Sequence, residues 1–224
     1  MERHFVLALE SLKTQLIRMG SYAEEAIAES IRSLLARNDD LAQSVLANDE
    51  RINILEIEID DAVVDLLALQ QPVASDLRFI IAALKISNDL ERIGDHAVNI
   101  AESAIQYARR PPLKPHVDIP RMAEITQRML RDSIDGFIHG DAQLCRAVLV
   151  SDDVIDDLNK QVVKDLVQVI RAETDSVEQA LDLIRVSRNL ERVADLATNI
   201  AEEVIFVAEA HVVKHHIEKR NVGH

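Results

Sequence analysis

The stretch Leu90–Glu102, LERIGDHAVNIAE, returns at Leu190–Glu202 as LERVADLATNIAE, an offset of 100 residues in a chain of 224. The protein is therefore a two-copy object. A repeat that retained only apolar positions would report one packing solution used twice, but here the polar residues return too. Glu91, Arg92, Asp95, Asn99 and Glu102 reappear as Glu191, Arg192, Asp195, Asn199 and Glu202, while Gly94 becomes Ala194 and His96 becomes Leu196.

Around the motif the apolar residues recur at helical spacing. Leu90, Gly94, Ala97, Ala101, Ala104 and Ala108 alternate by four and three, which predicts a helix from about Asp76 to Ala108, with Ser75 placed to cap it. Upstream, Leu9, Leu12, Leu16, Met19, Ala23, Ala26 and Ser30 form one seam. Val45, Ile52, Leu55, Ile59, Ala62, Leu66 and Leu69 form another, after a start at Asn38 to Asp40. Pro72, in QQPVASD, marks the turn between the second and third helices. The second half repeats the plan: Ser133, Ile134, Val148, Leu149, Asp152 and Ile155 match Ser30, Ile31, Val45, Leu46, Asp49 and Ile52 at an offset of 103.

These patterns predict an all-α fold of two tandem, similar antiparallel three-helix bundles, six long helices in all. Residues 1–108 form the first bundle and 121–224 the second. Residues 109–120, which hold four of the five prolines, form the linker between them.

Composition narrows the function. A net charge of −14 excludes counterion-driven nucleic-acid binding and a polybasic membrane anchor, and favours cations or basic protein surfaces as partners. No apolar run reaches the length of a membrane span, and the amphipathic N-terminus lacks a continuous hydrophobic signal region, so a cytoplasmic protein without membrane insertion is expected. The single cysteine, Cys145, fits a reducing compartment and a buried role as a small hydrophobe.

On the third helix Asn88, Glu91, Asp95, Asn99 and Glu102 fall within an arc of about 80°, away from the apolar seam, and Glu191, Asp195, Asn199 and Glu202 do the same in the second copy. Each half thus presents an oxygen-rich ridge. One explanation is a solvated face, or acids paired with Arg92 and Arg192. Against it, Glu91 and Asp95 are like charges at i and i+4, which costs a few tenths of a kcal/mol in a helix. Retaining that cost twice is understandable if a cation or a basic partner offsets it. Carboxylate and amide oxygens suit Mg, Mn, Ca or iron, and spacing alone does not select among them. A ferritin-like di-iron site needs an acid three residues before a histidine, which no histidine here has. His211, His215 and His216 could chelate a transition metal if the last helix persists, but read better as an exposed helix end. No phosphate-cradling glycine loop, Cys-x-x-Cys pair or activated nucleophile is present in the sequence.

LERIGDHAVNIAE, preceded by ASDLRFIIAALKISND, and LERVADLATNIAEEVIF resemble the paired Glu-x-x-x-Asp signatures of the PhoU family of bacterial phosphate-signalling regulators. The resemblance covers nearly the whole chain, including QPVASDLR before the third helix. It implies two three-helix bundles, a homodimer, and iron or zinc, in places as multinuclear clusters, held by the acidic motifs. It also implies a non-enzymatic adaptor that links the ATPase subunit of the phosphate ABC transporter to a sensor histidine kinase and represses the phosphate-starvation response. Carried onto this chain, the metal candidates are Glu91, Asp95 and Asn99, and Glu191, Asp195 and Asn199, with Glu102 and Glu202 as weaker members. Leu196 departs from the family, which often repeats the histidine seen at His96. Two alternatives are a metal-dependent phosphate-ester hydrolase using the ridge as a multinuclear site, and a metal-free helical scaffold.

Overall fold

The computed structural model describes residues 2–70, 72–113 and 118–209. Its helices are α1 (Glu2–Ala36), α2 (Asp39–Asn48), α3 (Glu50–Gln70), α4 (Ala74–Ala108), α5 (Ile119–His139), α6 (Ala142–Ala172) and α7 (Val177–Glu209), with a 3-10 turn at Thr174–Ser176. Asp49, between α2 and α3, keeps helical dihedrals (φ −58°, ψ −36°), so these two form one rod with a break and the described residues make six rods. The expected six-helix, all-α plan is the observed one.

The helix ends show the duplication in detail. Arg37 ends α1 at φ 52°, and Gly140 ends α5 at φ 66°; both conformations are left-handed. The next residue caps the following helix in each copy. Asn38 Oδ1 accepts from the backbone of Asp40 at 2.9 Å and Leu41 at 3.2 Å, and Asp141 Oδ1 accepts from Gln143 and Leu144 at 3.0 Å. Glycine takes the left-handed position at no steric cost, whereas arginine takes it at some cost. Arg37 uses the position: its Nη2 donates to the carbonyls of Ala108 (2.7 Å) and Arg110, and its guanidinium lies over the Tyr107 ring, tying the α1–α2 corner to the end of α4.

Two expectations are corrected. Ser75 does not cap α4: the helix begins at Ala74, and Val73, extended at φ −76° and ψ 169°, precedes it with no side-chain cap bond. In α3, Leu69 is 70% exposed and Val63 is buried where Ala62 was expected to carry the seam. A helix of 3.6 residues per turn drifts off a 3.5-residue seam, so the buried line runs Ile52, Leu55, Ile59, Val63, Leu66. Of the proline-rich stretch, residues 114–117 lie outside the described residues, and Pro120 sits in the first turn of α5.

Helices α4 and α7 form the centre, packed antiparallel along their length in the most extensive helix pair of the molecule. Lys85 lies opposite Glu203, and His96 opposite Asn189. α1 and the α2–α3 rod cover α4, and α5 and α6 cover α7. The halves also join at α1–α5, where a Cβ on Gly20 would stand 3.1 Å from Ile134 Cδ1, and at the stacked rings of Phe79 and Phe137, 5.9 Å apart. The buried side chains of both halves form one connected cluster, and each fully buried Leu or Ile in it contributes about 1.5–3 kcal/mol. Cys145 is buried in that cluster as expected, and burial pushes its thiol up to about 12. Among the described residues, no helix is long and apolar enough to cross a membrane.

Candidate functional site at the duplicated acidic helices

The motif residues do not form two uniform ridges; packing divides them into four settings. Glu91 and Asp95 face the α2–α3 rod. Burial raises the Glu91 carboxyl above the usual range, and Asp95, Glu56 and Asp49 raise it further. Asp49 is raised as well, by burial and by Asp95, against a hydrogen bond from Asn53 Nδ2 at 3.1 Å. Four carboxylates from two rods therefore share one field. Arg92 turns away, pairing with Asp89 at 3.6 Å, and among the described residues no base lies within salt-bridge distance of Glu91 or Asp95.

The second copy is arranged otherwise. Burial and Asp95's counterpart raise Glu191, that neighbour being Asp195, and burial and Asp156 raise Asp195. Arg192 opposes both shifts: its Nη1 meets Asp195 Oδ2 at 3.0 Å and its Nε meets Glu191 Oε2 at 3.5 Å. Here the acids are paired with the motif's own arginine. His96 of the first copy also reaches this side, holding Asn189 Oδ1 at 2.8 Å and lowering the Asp195 carboxyl. Because Asn189 Nδ2 donates to Arg185 O, its Oδ1 accepts from His96, which places the imidazole proton on Nδ1. At the position corresponding to His96, Leu196 is buried.

The remaining candidates line two clefts where α4 crosses α7, related by the repeat. Asn99 and Glu102 line a cleft of about 560 Å³ with Ser103, Arg109, Arg185 and Asn189. Asn199 and Glu202 line one of about 430 Å³ with Lys85, Asp89 and Glu203, and with Glu56 and Asp60 of α3. Asn199 lies beside Asp89 there and favours its charged form. Asp89 is 8% exposed, and burial lifts it to about 6, with Glu203 pushing the same way and Arg92, Asn199 and Lys85 opposing. Glu203 is also buried and takes Lys85 Nζ at 2.8 Å. A third buried acid, Asp182, pairs with Arg110 at 2.9 Å and Arg185 at 3.4 Å.

Sequence reading missed Asp49, Glu56, Asp89, Asp156 and Glu203. Asp49 had a visible signal, because it returns as Asp152 at the offset of 103. Asp89 and Glu203 flank the motif copies in sequence but face the apolar side of their helices, and Glu56 and Asp156 become neighbours of the motif only through helix pairing.

Whether these groups suit a metal divides by copy. Among the described residues, no three His, Cys, Asp or Glu side chains are grouped closely enough to hold an ion as they stand. The donor chemistry of the first face nonetheless fits a hard cation: like-charged carboxylates are crowded together, and Asp49 Oδ1 is buried without a hydrogen-bond partner. Gly94 leaves space beside that oxygen, since a Cβ there would stand 3.2 Å from it. On the second face a cation would compete with Arg192. The histidines at 211, 215 and 216 lie outside the described residues.

Comparison with known proteins agrees with the duplicated architecture. The PhoU domain model matches the chain twice, over residues 16–104 and 119–204. The phosphate-specific transport system accessory protein PhoU homolog of Aquifex aeolicus is 41% identical over 95% of this chain and 96% of its own length. The homolog from Pseudomonas putida is 36% identical over 95% of this chain and 84% of its own. Among solved structures, PhoU from Pseudomonas aeruginosa superposes with a TM-score of 0.90 at 34% identity, covering 92% of this chain and all of that one. The phosphate transport system regulatory protein PhoU from Streptococcus pneumoniae gives 0.87 at 25% identity, covering 94% of this chain and all of that one. With two matched domains, the same fold and full-length relatives, the chain belongs to the PhoU family.

Proposed function

We propose that this protein is a non-enzymatic adaptor that restrains phosphate uptake and phosphate-starvation signalling, standing between the ATPase subunit of a phosphate ABC transporter and a sensor histidine kinase. The observation that carries this reading is the full-length similarity to relatives named as accessory proteins of the phosphate-specific transport system. The physical properties support it. The surface is acidic and presents to solvent many long helix faces, which suit contact with more than one partner. The reading includes a cytoplasmic location, since the single cysteine suits a reducing compartment, and a homodimer, implied by the family resemblance.

Cations belong to the reading as stabilisers. Asp49, Glu91 and Asp95 would hold a hard cation between α4 and the α2–α3 rod, with iron, Mn or Mg suiting the oxygens and zinc admitted by the resemblance. Bound there, the ion supplies positive charge that offsets the crowding of carboxylates.

The test is co-purification with a tagged full-length chain from cells grown with ample and with scarce phosphate. The transporter ATPase and the kinase are expected in at least one condition, and recovery of neither in either would sink the adaptor. Elemental analysis tests the cation separately: Glu91→Ala with Asp95→Ala should remove more than about half of the bound metal and leave the helical circular dichroism unchanged. Unaltered metal content would remove the first face from the reading.

A further inference from the structure

Exposed aliphatic side chains gather on one pair of helices. Leu77, Ile81 and Leu84 of α4 are 37–40% exposed, and their spacing of four and three places them on one stripe that continues to Asn88. On α3, Val64 is 63% and Leu67 41% exposed, and the same arithmetic puts them on the stripe that begins with Glu56 and Asp60. The two stripes meet, because Glu56, Asp60, Leu84 and Asn88 line one cleft. Glu203 of α7 closes its far side, so α4 is the floor of a trough walled by α3 and α7.

The trough changes character along its length. Toward the start of α4 it is aliphatic. At the cleft it is acidic, lined among the described residues by Glu56, Asp60, Asp89, Glu202 and Glu203 and by Lys85, whose ammonium is held by Glu203. This charge is not demanded by the fold. In the cleft related by the repeat, Asn189 stands in place of Asp89, Ser103 in place of Glu203 and Arg185 in place of Lys85, and Arg109 adds a positive charge. The corresponding aliphatic stripe is weaker too: Leu181 matches Ile81, but Ile184, the counterpart of Leu84, packs against the core.

A contiguous exposed apolar stripe rimmed by charge is the mark of an interaction surface. A helix-walled trough offers no strand edge to pair with, so an occupant must satisfy its own backbone, as a helix does. We propose that this trough docks an amphipathic helix of a partner protein, with aliphatic side chains along the α3–α4 stripe and a lysine or arginine at the end that enters the acidic cleft. From Leu77 to Asp89 the trough runs roughly 18 Å, which takes about three turns of helix. Charge complementarity selects the basic end and the aliphatic stripe supplies the buried area.

The test is display of a randomised library of helix-favouring peptides, about 16 residues long, on the full-length protein, followed by binding of the enriched peptides to wild type, Ile81→Glu and Asp60→Lys. Enriched peptides should repeat aliphatic residues at helical spacing and carry Lys or Arg at one end. Each substitution should weaken binding by about tenfold or more. Both side chains are exposed, and Asp60→Lys serves where Ile81→Glu does not fold. Four outcomes overturn the proposal: no enrichment; enriched peptides that bind both variants as well as wild type; competition by a synthetic peptide of residues 210–224, which assigns the trough to the chain's own end; and self-association in sedimentation that Ile81→Glu abolishes, which assigns it to a second copy.

Discussion

The two copies of one motif solve the same electrostatic problem in opposite ways. In the second, Arg192 folds back onto Glu191 and Asp195, so the like charges are compensated within the helix that carries them. In the first, the equivalent Arg92 is drawn to Asp89, and Glu91 and Asp95 are left facing Asp49 and Glu56. The difference follows from one position, since Asp89 is Asn189 in the second copy and an amide does not compete for the arginine. A duplicated sequence therefore does not yield duplicated sites: one changed neighbour redirects a guanidinium, leaving one pair of acids crowded and the other compensated.

The same comparison holds in the core, and there the largest effect is expected. Gly136 and Cys145 of the second copy correspond to Ser33 and Ala42 of the first, an exchange of volume between facing positions. A Cβ on Gly136 would fall 2.4 Å from Cys145 Sγ and 3.4 Å from Asp141 O. Gly136→Ala should lower stability by about 1–3 kcal/mol in urea unfolding, and Cys145→Ala in the same chain should recover most of it. Equal loss with and without the second change would show that the backbone contact at Asp141, and not the thiol, sets the packing.

Asp89→Asn makes the first copy like the second and should have the next largest effect. Asp89 titrates near 6 when folded against an ordinary value of 3.8, so the folded state binds the proton more tightly. Its contribution is most favourable below about 4 and is lost as pH rises through about 6. In chelator-treated protein Asp89→Asn should flatten that decline and raise stability at pH 7 by about 1 kcal/mol, less than the full shift allows because Arg92 and Lys85 lose a partner. An unchanged pH profile would show that Asp89 does not carry the pH dependence.

The smallest effect separates the two faces directly. Glu91→Gln relieves repulsion and should stabilise by a few tenths of a kcal/mol, whereas Glu191→Gln removes a partner of Arg192 and should destabilise by a similar amount. Paired chemical denaturation of the two variants measures it, and shifts of the same sign would mean that the faces are electrostatically alike after all.

The apolar seams of α1 and α4 could be read directly, because burial on a long helix follows its own period: Leu12, Leu16, Met19 and Ala23 are buried, as are Leu90, Gly94, Ala97 and Ala101. The seam of α3 slipped by one residue near its end, where helical drift and not composition chose Val63 over Ala62. At the site, Glu91, Asp95, Glu191 and Asp195 stood out as retained polar residues. Their partners did not, because Asp49, Glu56 and Asp156 belong to other rods.

By itself the sequence determined the helical content, the duplication and the family, since each rests on local period or on residues retained at a constant offset. Tertiary structure alone decided which acidic pair faces other carboxylates, which clefts the asparagines line and where aliphatic and acidic stripes converge. Those outcomes depend on charges and surfaces meeting across helices far apart in the chain, and the antiparallel register of α4 on α7 sets which of them meet.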